Sequence, residues 1–196
     1  FSKQVESLRS LRTQLILRWF ERGFKTIAVS SAKEADDANL LAANLAIVFS
    51  QLGERTLLID ANLRNPSQHK LFKLNNHHGL SDILVGRASN DVVVRIPSLL
   101  NLSILTAGAM PPNPQELLNK DALNDLLGVF AEHYDVIIID TSPLLESSDA
   151  QIVAKKVGGV LISTLQNKTT LRDTQEAYEA CRSLGIDVQI ALNTHA

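Results

Sequence analysis

The sequence predicts an open α/β fold: a doubly wound, mostly parallel sheet with helices on both faces. Short apolar runs alternate with longer helical segments along the whole chain, the pattern of repeated βα units. One run, YDVIIID at residues 134–140, lacks any polar alternation and reads as a strand buried on both faces, the form strands take in parallel sheets. The 196 residues, 45% hydrophobic and 20% charged, suit one domain over residues 1–196 with a substantial core.

Each element has its own signal. Residues 2–22 place Val5, Leu8, Leu11, Leu15 and Trp19 at helical spacing among charges, and Gly23 closes that amphipathic helix. FKTIAVS (residues 24–30) is the first strand, and residues 36–52 form a helix stopped by Gly53. RTLLID (residues 55–60) is the second strand. A loop with Pro66, a basic and polar stretch and a short helix at residues 80–84 follow. Residues 102–106 are a strand, and Pro114, suited to a first helical turn, leads helices over residues 115–132. After the strand at 134–140 come a helix (149–156), a strand (159–164), a helix (171–184) and a last strand (188–193). No internal repeat or low-complexity stretch interrupts the series.

Composition narrows the function. Nineteen basic and twenty-one acidic side chains leave a net charge of −2, so no global field draws the chain to nucleic acid or anionic lipid, and no nucleic-acid partner is expected. Cys181, the single cysteine, makes no internal disulfide or thiolate metal site and fits a reducing cytosol. No apolar stretch approaches the roughly 20 residues of a spanning helix, and no signal peptide is legible. The chain starts at Phe1, which leaves open a longer protein with a membrane segment. His69, His77, His78, His133 and His195 show no ligand spacing, since adjacent His77 and His78 point to different sides of any regular element. Ser30, Ser31, Ser142, Ser147 and Ser148 lack the G-x-S-x-G context of a nucleophile.

Ligands of such sheets bind beyond the carboxyl ends of the strands, which points to residues 31–39, 60–64 and 140–149. In LLIDANLRNPSQHKLF (57–72), GLSDILVGR (79–87), AGAMPPNPQELL (107–118) and YDVIIIDTSP (134–143), the chain resembles the bacterial tyrosine kinases of exopolysaccharide loci. These are P-loop ATPase-like domains of the chain-length-determinant type. The resemblance spans nearly the whole chain, in order. It implies MgATP or MgADP as cofactor, tyrosine phosphorylation as activity, a ring-type homo-oligomer and a membrane chain-length-determinant (polysaccharide co-polymerase) partner. It further implies a cytoplasmic location at the inner face of the plasma membrane.

The family's phosphate loop has the form GxxxxGK[ST] or a close deviant, in which amides, lysine and hydroxyl hold the phosphates and magnesium. Counted back from AANLA at residues 42–46, the glycine positions here are Ala35 and Asp37, the lysine position is Ala38 and the hydroxyl position is Asn39. Asp36 and Asp37 are expected to cap the following helix and to occupy the anion site from within. Lys33 is a candidate displaced lysine, set against Glu34 and the two aspartates. Of the family's two acids after the second strand, Asp60 remains and Asn62 replaces the other. Asp60 and Asp140 are the residual catalytic carboxylates and the magnesium ligands should nucleotide bind; the plainer reading of each is a strand-end carboxylate bonded to loop amides.

Glu6, Arg9 and Arg12 form an ExxRxxR series on one face of the first helix, which in the family reaches a neighbouring subunit, so residues 1–22 are the expected oligomerisation helix. Arg64 follows the second strand, where the family also carries arginine, for a phosphate or a subunit contact. The family's tyrosine-rich tail has no counterpart: Tyr134 reads as core and Tyr178 as exposed. The expectation is a kinase-like regulator of polysaccharide polymerisation and export, a pseudokinase scaffold with no or weak nucleotide binding. Its alternatives are an active tyrosine autokinase and, from another class, a partitioning-type positioning ATPase.

Overall fold

The computed structural model describes residues 2–34 and 37–193. In chain order the elements are α1 (Lys3–Arg18), β1 (Thr26–Ser31), α2 (Ala38–Gln51), β2 (Thr56–Asp60), α3 (Gln68–Leu71), α4 (Leu80–Leu84), β3 (Val94–Arg95) and β4 (Leu102–Leu105). They continue with α5 (Pro114–Asn119), α6 (Asp121–His133), β5 (Val136–Asp140), α7 (Asp149–Val157), β6 (Gly159–Leu165), α8 (Leu171–Ser183) and β7 (Asp187–Asn193). The strands form one sheet in the order β3-β4-β2-β5-β1-β6-β7. All pairings are parallel except β3 with β4, so the expected doubly wound sheet is present.

Its two faces carry separate cores. Leu57, Ile59, Ile137, Ile139 and Ile162 pack with α5, α6, α7 and α8, whereas Ile27, Val29, Leu58, Ile138 and Leu161 pack with α1 and α2. This alternation along each strand explains the unbroken apolar run in β5: successive side chains enter opposite cores. Burial of each such side chain stabilises the fold by about 1.5–3 kcal/mol, so the central strands are held mainly by packing.

Several boundaries differ from expectation for local reasons. The first helix stops at Arg18, and a 3-10 turn over Phe20–Arg22 leads to Gly23 in the left-handed region at φ 95°. Trp19 leaves the helix there, and its indole N–H donates to Thr26 O at 2.9 Å. Helix α2 starts at Ala38, not at residue 36. Tyr134 is half-buried at the end of α6, its ring edge-on to Phe130, and the strand starts only at Val136. The polar stretch after Pro66 contains α3, and β3 adds a two-residue edge strand; the sequence signalled neither. Among the described residues no helix is long and apolar enough to cross a membrane.

Candidate functional site

Three parallel strands, β2, β5 and β1, end side by side, with Asp60 level with Asp140 and Val29 level with Asp140 across the two ladders. The fold thus brings together the two carboxylates singled out from the sequence. Both are buried, at 0% and 1% exposure. Asp60 Oδ1 accepts from the Asn62 amide at 3.1 Å, and Oδ2 accepts from the Ser67 and Gln68 amides, each at 3.0 Å. The plainer reading of Asp60, a strand-end acid bonded to loop amides, is therefore what its geometry shows.

Gln68 is the residue the sequence reasoning missed. Its side-chain N–H group donates to Asp140 Oδ2 at 2.8 Å and to Asn39 O at 2.9 Å, joining β5, α2 and α3 in one buried knot. Its carboxamide oxygen is buried without a hydrogen-bond partner, a costly arrangement for an amide. Nothing in the polar stretch after Pro66 announced the contact with Asp140. Burial pushes the Asp60 carboxyl up to about 6 against the pull of its three amides. Burial, and then the neighbouring Asp60 charge, push Asp140 well above the usual carboxylate range. Two carboxylates this close and this dry resist joint ionisation.

The turn between β1 and α2 is described as far as Glu34 and again from Asp37; Ala35 and Asp36 lie outside the described residues. Asp37 precedes α2 with left-handed backbone, φ 50° and ψ 34°, and its carboxylate makes no capping bond. The expectation that Asp37 caps the helix is therefore corrected. Its main chain adopts the left-handed conformation a glycine takes freely, not the extended conformation from which a side chain caps a helix. Asn39 donates to Ser67 Oγ at 3.1 Å, so the hydroxyl position serves the protein's own loop.

A cleft of about 200 Å³ opens over these groups. Among the described residues its walls carry Glu34, Asp37 and Asp140 but no lysine, arginine or histidine. Lys33 does not fill the gap, because its ammonium pairs with Asp173 at 3.0 Å. Arg64 does not either: its guanidinium grips Asp149, the buried first residue of α7, with bonds of 2.7 and 3.1 Å. Glu34 accepts from the Asn65 side chain at 2.6 Å, and its amide donates to Glu146 at 3.0 Å, tying the turn to the facing loops. A nucleoside triphosphate with magnesium does not fit this lining. Among the described residues its phosphates would meet three acids and no cation, and Asp60, fully buried and bonded to three amides, does not line the cleft. No group of three or more potential metal ligands occurs among the described residues.

The ExxRxxR residues separate in space. Arg9 lies 3.7 Å from Glu6 on the exposed side of α1. Arg12 turns inward, donating to Val48 O of α2 at 2.6 Å, with its Nε buried and unpartnered. The expectation that all three share one outward face is corrected for Arg12, because an i to i+6 step of about 600° carries it round toward α2. Tyr178 is 38% exposed on α8, as expected.

Residues 24–172 match the AAA domain family. Tyrosine-protein kinase YwqD of Bacillus subtilis (strain 168) is 36% identical over 185 residues, which are 93% of this chain and 78% of the relative. Tyrosine-protein kinase etk of Escherichia coli (strain K12) is 32% identical over 188 residues, 96% of this chain but only 26% of that protein. The solved kinase domain of Escherichia coli tyrosine kinase ETK superposes with a TM-score of 0.92 at 32% identity, covering 96% of this chain and 74% of that one. The septum site-determining protein MinD from Pyrococcus horikoshii shares the fold, with a TM-score of 0.72 at 20% identity over 87% of this chain and 70% of that one. Sequence likeness at this level over nearly all of the chain goes beyond a common fold, and the chain belongs to the bacterial tyrosine kinase family of P-loop ATPase domains.

Proposed function

We propose that this domain is a kinase-like regulator of exopolysaccharide polymerisation or export that works as a scaffold with impaired ATP binding. One observation carries the reading. Among the described residues the cleft at the carboxyl ends of β1, β2 and β5 is lined by Glu34, Asp37 and Asp140 and by no cation, whereas holding a phosphate chain calls for amides, a lysine and a magnesium-binding hydroxyl. The Asp60–Asp140 pair favours the second reading, an active tyrosine kinase, because it retains carboxylates where magnesium would sit. Titration of the purified domain with MgATP and MgADP by calorimetry separates the two. No saturable heat is expected, and binding at micromolar concentration would establish the kinase reading instead.

In the scaffold reading the domain acts at the inner face of the plasma membrane through self-association and a membrane chain-length-determinant partner. The exposed Glu6 and the half-buried Arg9 on α1 supply the contact with a neighbouring subunit, while Arg12 holds α1 onto α2. Arg9→Glu should therefore lower the mass of the assembly seen by light scattering without loss of fold. Arg12→Ala should act mainly through stability.

A further inference from the structure

At the opposite end of the sheet, where β1, β6 and β7 begin, lies a second and larger cleft of about 510 Å³. A six-residue strand spans roughly 20 Å, so this cleft is remote from the acidic one and shares no wall with it. Its floor is an aromatic pair, Trp19 and Phe24, stacked with ring centroids 4.1 Å apart and planes at 11°. Trp19 is fixed. It is 1% exposed, its indole N–H is bonded to Thr26, and its ring presses on Gly159 so closely that a Cβ there would come within 2.5 Å of it. Phe24 lies on this platform with 39% of its surface exposed.

The rim is cationic. Arg22 stands 5.2 Å from the Phe24 centroid and 5.5 Å from that of Trp19, and it pairs with Asp187 at 2.6 Å. Arg182 lines the same cleft and lies 5.9 Å over the Tyr178 ring. Two guanidinium groups therefore face one carboxylate, leaving excess positive charge beside an exposed ring that sits on a rigid base. Guanidinium groups suit phosphate because their N–H forks match its oxygens, and an exposed ring on a fixed platform offers a stacking surface at little ordering cost.

We propose that this cleft binds an aromatic ring carrying a phosphate directly on the ring, the side chain of phosphotyrosine, with the ring laid on Phe24 and the phosphate held by Arg182 and Arg22. The closeness of Arg22 to the Phe24 ring selects this ligand over a nucleotide. In a nucleotide the ribose holds the phosphate away from the stacked base, whereas in an aryl phosphate ring and charge are joined through one oxygen.

Trp19 is the only tryptophan of the chain, so its fluorescence reports on the cleft without labelling. Titration with phenyl phosphate should change that emission saturably, and it should shift the amide resonances of Gly158 and Gly185 in the cleft wall. Arg182→Gln, at an exposed position, should weaken the binding at least about tenfold, the loss of one charge-assisted contact. A short peptide bearing phosphotyrosine should reproduce the response, and its unphosphorylated form should not. The proposal is overturned if neither signal moves up to about 10 mM ligand, a concentration that bounds even millimolar affinity. It is equally overturned if Arg182→Gln binds unchanged, or if inorganic phosphate or adenosine monophosphate binds as tightly as phenyl phosphate.

Discussion

The Gln68 carboxamide donates to Asp140 at 2.8 Å while its own oxygen lies buried and unpartnered. The donor end also holds Asn39 O of α2, so one side chain ties the nucleotide-end helix to the long central strand. Gln68→Met keeps the volume but strips both acceptors of their donor. The expected loss is about 1–3 kcal/mol, the penalty for buried acceptors left unsatisfied, read from urea unfolding.

Asp60 and Asp140 make stability rise on mild acidification. Their folded-state pKa values, about 6 for Asp60 and well above the ordinary range for Asp140, exceed the roughly 3.9 of an unfolded aspartate. The folded protein therefore takes up protons that the unfolded chain refuses. That contribution is fully present below about pH 4 and is lost as pH rises through 6 and beyond. Asp135, held down by Arg55, and Asp173, held down by Lys33, pull the other way, but only as pH falls toward their own depressed values. Unfolding measured between pH 5.5 and pH 8 should show stability falling toward the alkaline end, by roughly 1 kcal/mol from Asp60 alone and further from Asp140. Asp140→Asn should raise stability at pH 8 and flatten the slope.

Rebuilding the phosphate loop tests the proposed impairment of nucleotide binding. Ala35→Gly, Asp37→Gly, Ala38→Lys and Asn39→Thr together remove one acid and supply the missing lysine and hydroxyl. The rebuilt protein should bind MgADP at least about 100-fold more tightly than the parent, the effect of restoring charge-assisted contacts worth about 3 kcal/mol, as measured by calorimetry. An equal, negligible affinity in both proteins would place the obstruction elsewhere, with Gln68 and Glu34 the next residues to change.

Arg64 and Asp149 should behave asymmetrically. Asp149 is 1% exposed, whereas the Arg64 side chain is 47% exposed. Arg64→Ala strands a carboxylate in the interior, with only the start of α7 to compensate it, and should cost about 1–3 kcal/mol. Asp149→Asn retains a hydrogen-bonding group and returns the arginine to water, so thermal unfolding should show a smaller loss.

Much of the frame was legible because the apolar runs carry it. YDVIIID announced β5, and the glycines at 23 and 53 marked helix ends that the structure places in left-handed backbone. The carboxylates Asp60 and Asp140 were found by the rule that chemistry gathers at strand ends. What sequence alone withheld was direction. Arg12 and Arg9 differ in role only because α2 lies beside one and solvent beside the other, and Lys33 meets Asp173 from an element 140 positions away. Gln68 stayed hidden for the same reason: a glutamine in a polar stretch becomes a buried linker only once α3 folds over the strand ends.

Asp37 has a last implication, for engineering. Its backbone holds the left-handed twist that glycine holds without strain, so glycine fits this position as it stands. Aspartate and glycine codons differ by a single base. Glycine at this position would call for no refolding of the chain, which makes the loop a short mutational step from a more permissive one and a natural starting point for selection experiments on nucleotide binding.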